Sequence, residues 1–77
     1  MRKEKLEEIL QILRGKKGKA KVRDVFSPMF EKYSLTKKTF WAYLEDLKTA
    51  GKIDYPGMVM VGQEDEMVIK LSGEKKE

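Results

Sequence analysis

The sequence predicts an α+β fold in which three helices pack against a small antiparallel β-sheet. Three segments carry apolar residues at helical spacing, and two short β-rich runs follow the last of them. With 77 residues the chain makes one domain, near the lower size at which a core is self-sufficient. We predict that residues 1–71 form this domain and that the polar residues 72–77 form a flexible tail.

The third helix has the clearest boundaries. The hydroxyl of Thr36 can accept the first free N–H groups of a helix, and Gly51 can adopt the left-handed conformation that commonly ends one. Between them Phe40, Leu44 and Leu47 recur at i, i+4 and i+7, which places their side chains on one face. The pattern predicts a helix over residues 36–50, with Leu35 packing back onto it just before the cap.

The first helix is predicted over residues 3–14, ending at Gly15 and Gly18. Ile12 lies well off its apolar face. That face consists of Leu6, Ile9, Leu10 and Leu13.

The second helix is predicted over residues 22–33, and Pro28 interrupts it. Either the helix kinks there, or a short turn ends and a new helix begins with Ser27 as its cap. Both versions present the same residues to the core. These are Val22, Val25, Phe26, Met29, Phe30 and Tyr33.

Two β-rich runs follow the third helix. Residues 58–61 and 67–71 are predicted strands, separated by a Gly-containing loop at residues 62–65 and preceded by a turn at residues 55–57. Two short strands around a loop of this kind form a β-hairpin.

With these elements in place, the chain resembles the winged-helix family, the helix-turn-helix variant in which a β-hairpin follows the recognition helix. The resemblance covers roughly residues 4–71. It implies the order helix, strand, helix, helix, strand, strand, with residues 19–21 as the first strand. It also implies binding of double-stranded DNA by the third helix. The positions that it nominates for DNA contact are Thr36, Lys37, Lys38, Thr39 and Trp41.

Two of these positions are unusual for a helix start. Lys37 and Lys38 lie in the first turn, where the helix dipole favours acidic residues, so we expect a role other than helix stability. Lysine can contact phosphates or guanine, and threonine commonly contacts a phosphate or a thymine methyl group.

A second basic feature lies between the first two helices. The formal net charge is +4, and residues 14–23 alone hold six basic residues and no acid. Such a cluster raises local affinity for anions, although a solvated loop is the alternative interpretation. Beside a recognition helix we predict phosphate contacts by Lys16, Lys17, Lys19, Lys21 and Arg23.

Two features depart from the usual winged-helix pattern. Ala42 stands where many relatives carry a polar or basic residue, which limits base readout. The hairpin loop carries Glu64, Asp65 and Glu66, and their charge repels phosphate. We therefore expect this loop to stay away from the DNA backbone. The acids would instead discourage edge pairing of the hairpin or contact another protein.

Two aromatic residues have two interpretations each. Trp41 either covers the edge of the core against the hairpin, which is the favoured reading, or stacks on a sugar or base. Tyr55 either packs under the hairpin or offers its hydroxyl to a phosphate.

Composition argues against catalysis. Both Cys and His are absent, so a general base would have to be a carboxylate or a lysine. The acidic residues show no spacing that pairs them, and the Gly-containing basic segment lacks the spacing of a P-loop. We predict no enzymatic activity, no cofactor, no metal and no small-molecule ligand.

The remaining composition bears on location and source. No apolar run approaches the ~18 residues of a membrane span, and no secretory signal is visible, so we expect a cytoplasmic protein. The charged fraction is 39%, Asn is absent and Gln occurs only twice, which is a thermophile-like bias.

Three functions remain open from the sequence. The first is DNA binding, as a small transcriptional regulator or a replication factor; the second is protein contact within a larger complex; the third is RNA binding, which no motif supports. Specific DNA sites are usually read by dimers, so we also predict a homodimer with contacts from Ile12 and from Met58 or Met60.

Overall fold

The computed structural model describes residues 2–57 and 62–72. The predicted α+β fold and its order of elements are confirmed, and the topology is consistent with a winged helix. The elements are α1 (Arg2–Gly15), β1 (Lys19–Lys21), α2 (Val22–Tyr33), α3 (Lys37–Thr49), β2 (Ile53–Asp54), the 3₁₀ turn η1 (Glu64–Glu66) and β3 (Val68–Leu71).

The three strands form one antiparallel sheet with β3 in the centre, in the order β1-β3-β2. Ala20 lies opposite Ile69, and Ile53 lies opposite Leu71. The predicted first strand of the hairpin, residues 58–61, lies outside the described residues. Within the described residues, β3 instead pairs with β2, because Ile53 is buried and comes alongside β3 directly after the end of α3.

The predicted loop at residues 62–65 is more ordered than expected. Residues 64–66 form the helical turn η1, in which the Glu66 N–H donates to the Gln63 carbonyl and the Met67 N–H donates to the Glu64 carbonyl. The strand that follows begins at Val68 rather than at Met67.

Both predicted ends of α3 are confirmed. The Thr36 hydroxyl accepts a hydrogen bond from the Thr39 N–H at 3.2 Å. At the other end Gly51 has φ +78°, and the N–H of Lys52 donates to the carbonyl of Leu47. This pattern of a left-handed residue and a bond back across the last turn is a Schellman motif.

The end of α1 differs in detail from the prediction. Gly15 is the last helical residue, and the left-handed conformation falls on Lys17 and Gly18, with φ 66° and 90°. The Gly18 N–H donates to the Leu13 carbonyl at 2.8 Å. A lysine therefore occupies the position where a helix end commonly has glycine.

The second helix is continuous through Pro28, so the alternative of two separate helices is wrong. A proline removes one backbone donor, and here the carbonyl that loses its partner lies in the first turn. The helix ends at Tyr33, and the residue that caps it, Ser34, has φ 58° and donates its N–H to the Phe30 carbonyl at 2.7 Å.

The core lies between the helices and one face of the sheet. Phe30 was predicted to be buried but is 52% exposed, because the contacts of α2 cover only the narrower face with Val25 and Met29. Ile12 is partly buried, since α1 packs on the sheet as well as on the other helices. The core residues are Ile9, Leu10, Leu13, Val22, Val25, Met29, Leu35, Phe40, Tyr43, Leu44, Leu47, Ile53, Met67 and Ile69.

Candidate nucleic-acid interface

The first turn of α3 projects two lysines from the surface. Lys37 and Lys38 are both exposed, and they follow the cap residue directly. The Thr36 hydroxyl also donates to the Thr39 hydroxyl at 3.1 Å, so the two threonines are engaged with each other. Their first role is to begin the helix, which fixes the direction in which the lysines project.

Three predicted DNA contacts converge on the acidic turn η1. The Lys21 Nζ lies 2.9 Å from Glu66 Oε1, and the Arg23 Nη1 lies 2.5 Å from Glu66 Oε2. The Lys37 Nζ lies 2.7 Å from Asp65 Oδ1. One surface thus receives a cation from each of β1, α2 and α3. Together with Lys38, the exposed neighbour of Lys37, we call these residues the basic surface; they are Lys21, Arg23, Lys37 and Lys38.

The acids of this turn were expected to discourage edge pairing or to contact another protein, and their pairing with cations of the same chain was not foreseen. Its position follows from Met67, which is buried and whose carbonyl accepts a 2.8 Å hydrogen bond from the Val22 N–H. That bond ties the end of η1 to the start of α2, next to Lys21 and Arg23. The acids therefore pair within the chain.

The electrostatics of Glu66 reflect these contacts. The hydrogen bond from the Lys21 ammonium, supported by the positive charge of Arg23, lowers the pKa of Glu66 below its usual value. Its carboxylate is ionised at neutral pH, so it offsets positive charge on the basic surface.

Lys37 has a second contact besides Asp65. Its Nζ lies 5.3 Å from the centre of the Phe26 ring, a cation–π distance. Phe26 packs in turn on Phe40 of the core and on exposed Phe30, with ring centres 5.2 Å and 5.7 Å away. The lysine is therefore positioned from two sides.

Trp41 lies apart from this group and has a packing contact. Its ring meets Tyr55 edge to face, with centres 5.8 Å apart, and it is partly buried against the core. Lys48 lies over the Tyr55 ring, with its Nζ 4.3 Å from the ring centre. Burial, with a smaller effect of Glu45, raises the pKa of Tyr55. These contacts agree with the packing interpretation of both aromatic residues.

Among the ion pairs of the described residues, none joins the remaining predicted basic contacts to η1. Lys16 and Lys17 lie in the turn before β1, at the end of that strand away from Lys21. Lys19 lies opposite Lys70 and lines a shallow groove with Asp54. It shares the outer face of the sheet with Lys21 but is one strand residue further from η1 on that face. The structure thus separates Lys16 and Lys17 from Lys21 and Arg23, although the basic segment is continuous in sequence.

Sequence reasoning missed the pairing of Glu66 and Asp65 with predicted DNA contacts. The partners are separated by 28 to 45 positions, and only the opposite signs of the two segments hinted at it. Within residues 2–57 and 62–72, no cluster of three acidic side chains is close enough to hold a metal. In the same ranges, no helix is both long and apolar enough to cross a membrane.

No protein-family model matches the chain, and the comparisons with curated proteins and with solved structures found no significant similarity. The assignment of function therefore rests on the geometry and charge of this surface.

Proposed function

We propose that the chain is a winged helix-turn-helix protein that binds double-stranded DNA through the start of α3, and that it acts as a small transcriptional regulator. The observation that carries the proposal is the convergence of Lys21, Arg23 and Lys37, from three elements, beside exposed Lys38. Cations from separate elements on one surface suit a duplex backbone, whose phosphates lie along a line rather than at a point.

The proposed contacts fall into two kinds. Lys37 and Lys38 project from the end of α3 that would enter the major groove, so they reach base edges or the flanking phosphates. Lys21 and Arg23 lie at the start of α2, which in this arrangement faces the backbone. Backbone contacts position the protein, whereas base contacts select the sequence.

The test is a titration of two unrelated labelled duplexes at several salt concentrations. Replacing both Lys37 and Lys38 with Ala should weaken binding by roughly 1–3 kcal/mol for each base-contacting residue and change the preference between duplexes. A matched control replaces Lys3 and Lys52, two exposed lysines that line the groove between α1 and the end of α3. The control variant has the same change in net charge and should keep the parent's preference between the two duplexes. If the Lys37/Lys38 variant bound each duplex as tightly as the parent does, α3 would not be the element that reads the DNA sequence.

A protein-contact function is the second candidate, and one observation favours it. Phe30 is 52% exposed and packs on Phe26, so an aromatic surface borders the neutralised cations. The salt dependence of binding separates the two functions. Counterion release from DNA makes log K fall with the logarithm of the salt concentration, with a slope of about −0.9 per phosphate contacted. A protein partner bound through Phe30 would show a shallow slope and would be lost with Phe30→Ala.

We further propose that specific sites are read by a homodimer. Of the predicted contacts, Ile12 is engaged with the core, and Met58 and Met60 lie outside the described residues. Exposed Val68 of β3 is therefore the better placed apolar residue. Sedimentation should reveal two 9.0 kDa chains per duplex in the complex with DNA. One 9.0 kDa chain per duplex, together with free protein that stays at 9.0 kDa at every concentration, would exclude the dimer.

A further inference from the structure

We propose that the acidic turn η1 restrains DNA binding, because Glu66 and Asp65 compete with phosphates for Lys21, Arg23 and Lys37. This inference rests on the proposed function, since it concerns the regulation of the same surface. It assigns the acids a role in setting affinity rather than in contacting a partner.

The geometry of the ion pairs supports competition. The two oxygens of Glu66 engage one cation each, from β1 and from α2, and Asp65 engages the lysine at the start of α3. A carboxylate and a phosphate both accept short charge-assisted hydrogen bonds from Lys and Arg. A phosphate that uses the same N–H groups must displace a carboxylate oxygen, and one that uses the remaining N–H groups lies close to the negative charge of the carboxylate.

The turn is held in place by groups other than these ion pairs. Met67 is buried, and its carbonyl accepts the hydrogen bond from Val22, so the backbone next to the acids is anchored to the core. DNA would consequently displace the two carboxylate side chains by rotation, without moving the turn. The acids then remain near the phosphates and continue to oppose binding by repulsion.

The exposure of the ion pairs sets the size of the effect. The paired side chains are between 42% and 54% exposed, so water can replace either partner. Exposed pairs of this kind are weak, which makes the turn a graded restraint rather than a block. Lys21 and Arg23 are the proposed backbone contacts, so the competition by Glu66 acts equally on all duplex sequences. The competition by Asp65 also concerns the base edges that Lys37 reaches.

The experiment compares the parent with Glu66→Gln and Asp65→Asn in titrations of a labelled duplex of about two helical turns. Each amide keeps the shape of the side chain and removes its charge. From the weakness of exposed ion pairs, we expect each change to tighten binding roughly twofold to fivefold. Glu66→Gln should do so without altering the preference between duplexes, because it frees only the proposed backbone contacts Lys21 and Arg23. The salt dependence should steepen, because more phosphates are then neutralised by protein cations.

Two controls separate competition from a general change in charge. Glu4→Gln removes one negative charge from exposed Glu4, in the groove between α1 and α2, and should leave affinity nearly unchanged. In addition, Asp65→Asn should increase the DNA affinity less in a protein that already carries Lys37→Ala, because the lysine that Asp65 pairs with is then absent. Circular dichroism of each variant confirms the fold. Because Glu66 and Asp65 pair with different cations, either variant alone provides a test.

Each outcome decides between the two levels of the proposal. Tighter binding by the acid variants, without the same gain in Glu4→Gln, supports the restraint. If all variants bind DNA as the parent does, or if Glu4→Gln gains as much, the restraint is overturned while DNA binding stands. If neither the parent nor any variant binds DNA even at low salt, the proposed function fails and the restraint fails with it.

Discussion

The Lys37 ammonium nitrogen lies 2.7 Å from a carboxylate oxygen of Asp65, a residue 28 positions away in the chain. Lys37 is in the first turn of α3, where the helix dipole disfavours positive charge. Asp65 supplies from η1 the negative charge that the first turn of α3 lacks. The contact thus places a compensating negative charge beside the lysine at the start of α3, on a turn that the buried Met67 anchors.

The pKa of Glu66 provides a direct measurement of the acidic turn. The hydrogen bond from Lys21 lowers this pKa, so we expect the Glu66 carboxylate to titrate below the usual range in carbon-detected NMR. Lys21→Ala should raise the pKa toward its usual value, whereas Lys19→Ala, from the same strand, should change it little. An equal effect of both variants would contradict a specific pair.

The same shift predicts how stability depends on pH. A folded-state pKa below the unfolded one contributes stability that is present above the unfolded pKa and is lost as pH falls through the folded pKa. The contribution of Glu66 should therefore decline below about pH 4.3, the ordinary pKa of a glutamate side chain. Urea unfolding across this range should show a smaller decline for Glu66→Gln than for the parent.

Phe40 should be among the most sensitive core positions. Its ring is fully buried and meets Phe26 edge to face. Phe40→Ala should lower the free energy of unfolding by about 3–5 kcal/mol, because it leaves a cavity in a small core. The matched change Phe30→Ala removes a ring that is already half exposed, and should cost at most about 1 kcal/mol. Similar urea midpoints for the two variants would refute this placement of the rings.

The cap of α3 depends on one hydroxyl group. Thr36→Ala removes the acceptor for the Thr39 N–H and should destabilise the protein by about 1 kcal/mol. Thr49→Ala, at the last and exposed position of the same helix, should stay within about 0.5 kcal/mol of the parent. Thermal melts followed by circular dichroism would show the difference. A Thr36 variant as stable as the parent would argue against this cap.

The end of α3 requires a left-handed residue. Gly51→Ala should cost about 1–2 kcal/mol, since φ is +78° and a side chain disfavours that conformation. Gly15→Ala is the control, because Gly15 is helical and should gain up to about 1 kcal/mol from the better helix former. Neither new methyl group would meet a neighbouring atom within 4 Å, so backbone conformation alone separates them. Opposite signs in chemical denaturation are expected, and a loss at both positions would contradict the argument.

The sequence by itself determined the local features of this protein. The Thr36 cap, the turn at Gly51 and the limits of the helices depend on residues within about one helical turn of each other, so they can be read from spacing. For the second helix the sequence predicted two alternatives, one kinked helix or two separate helices, because the local effect of Pro28 allows both.

Only the tertiary structure decided the arrangement of the candidate site. It placed Lys21, Arg23 and Lys37 around the acids of η1, kept Lys16 and Lys17 away from them, and left Phe30 exposed. Charged side chains at the surface follow no periodic pattern, and their partners here lie 28 to 45 positions away. Which charges meet depends on how the helices and strands pack, and that packing is decided by the buried apolar residues.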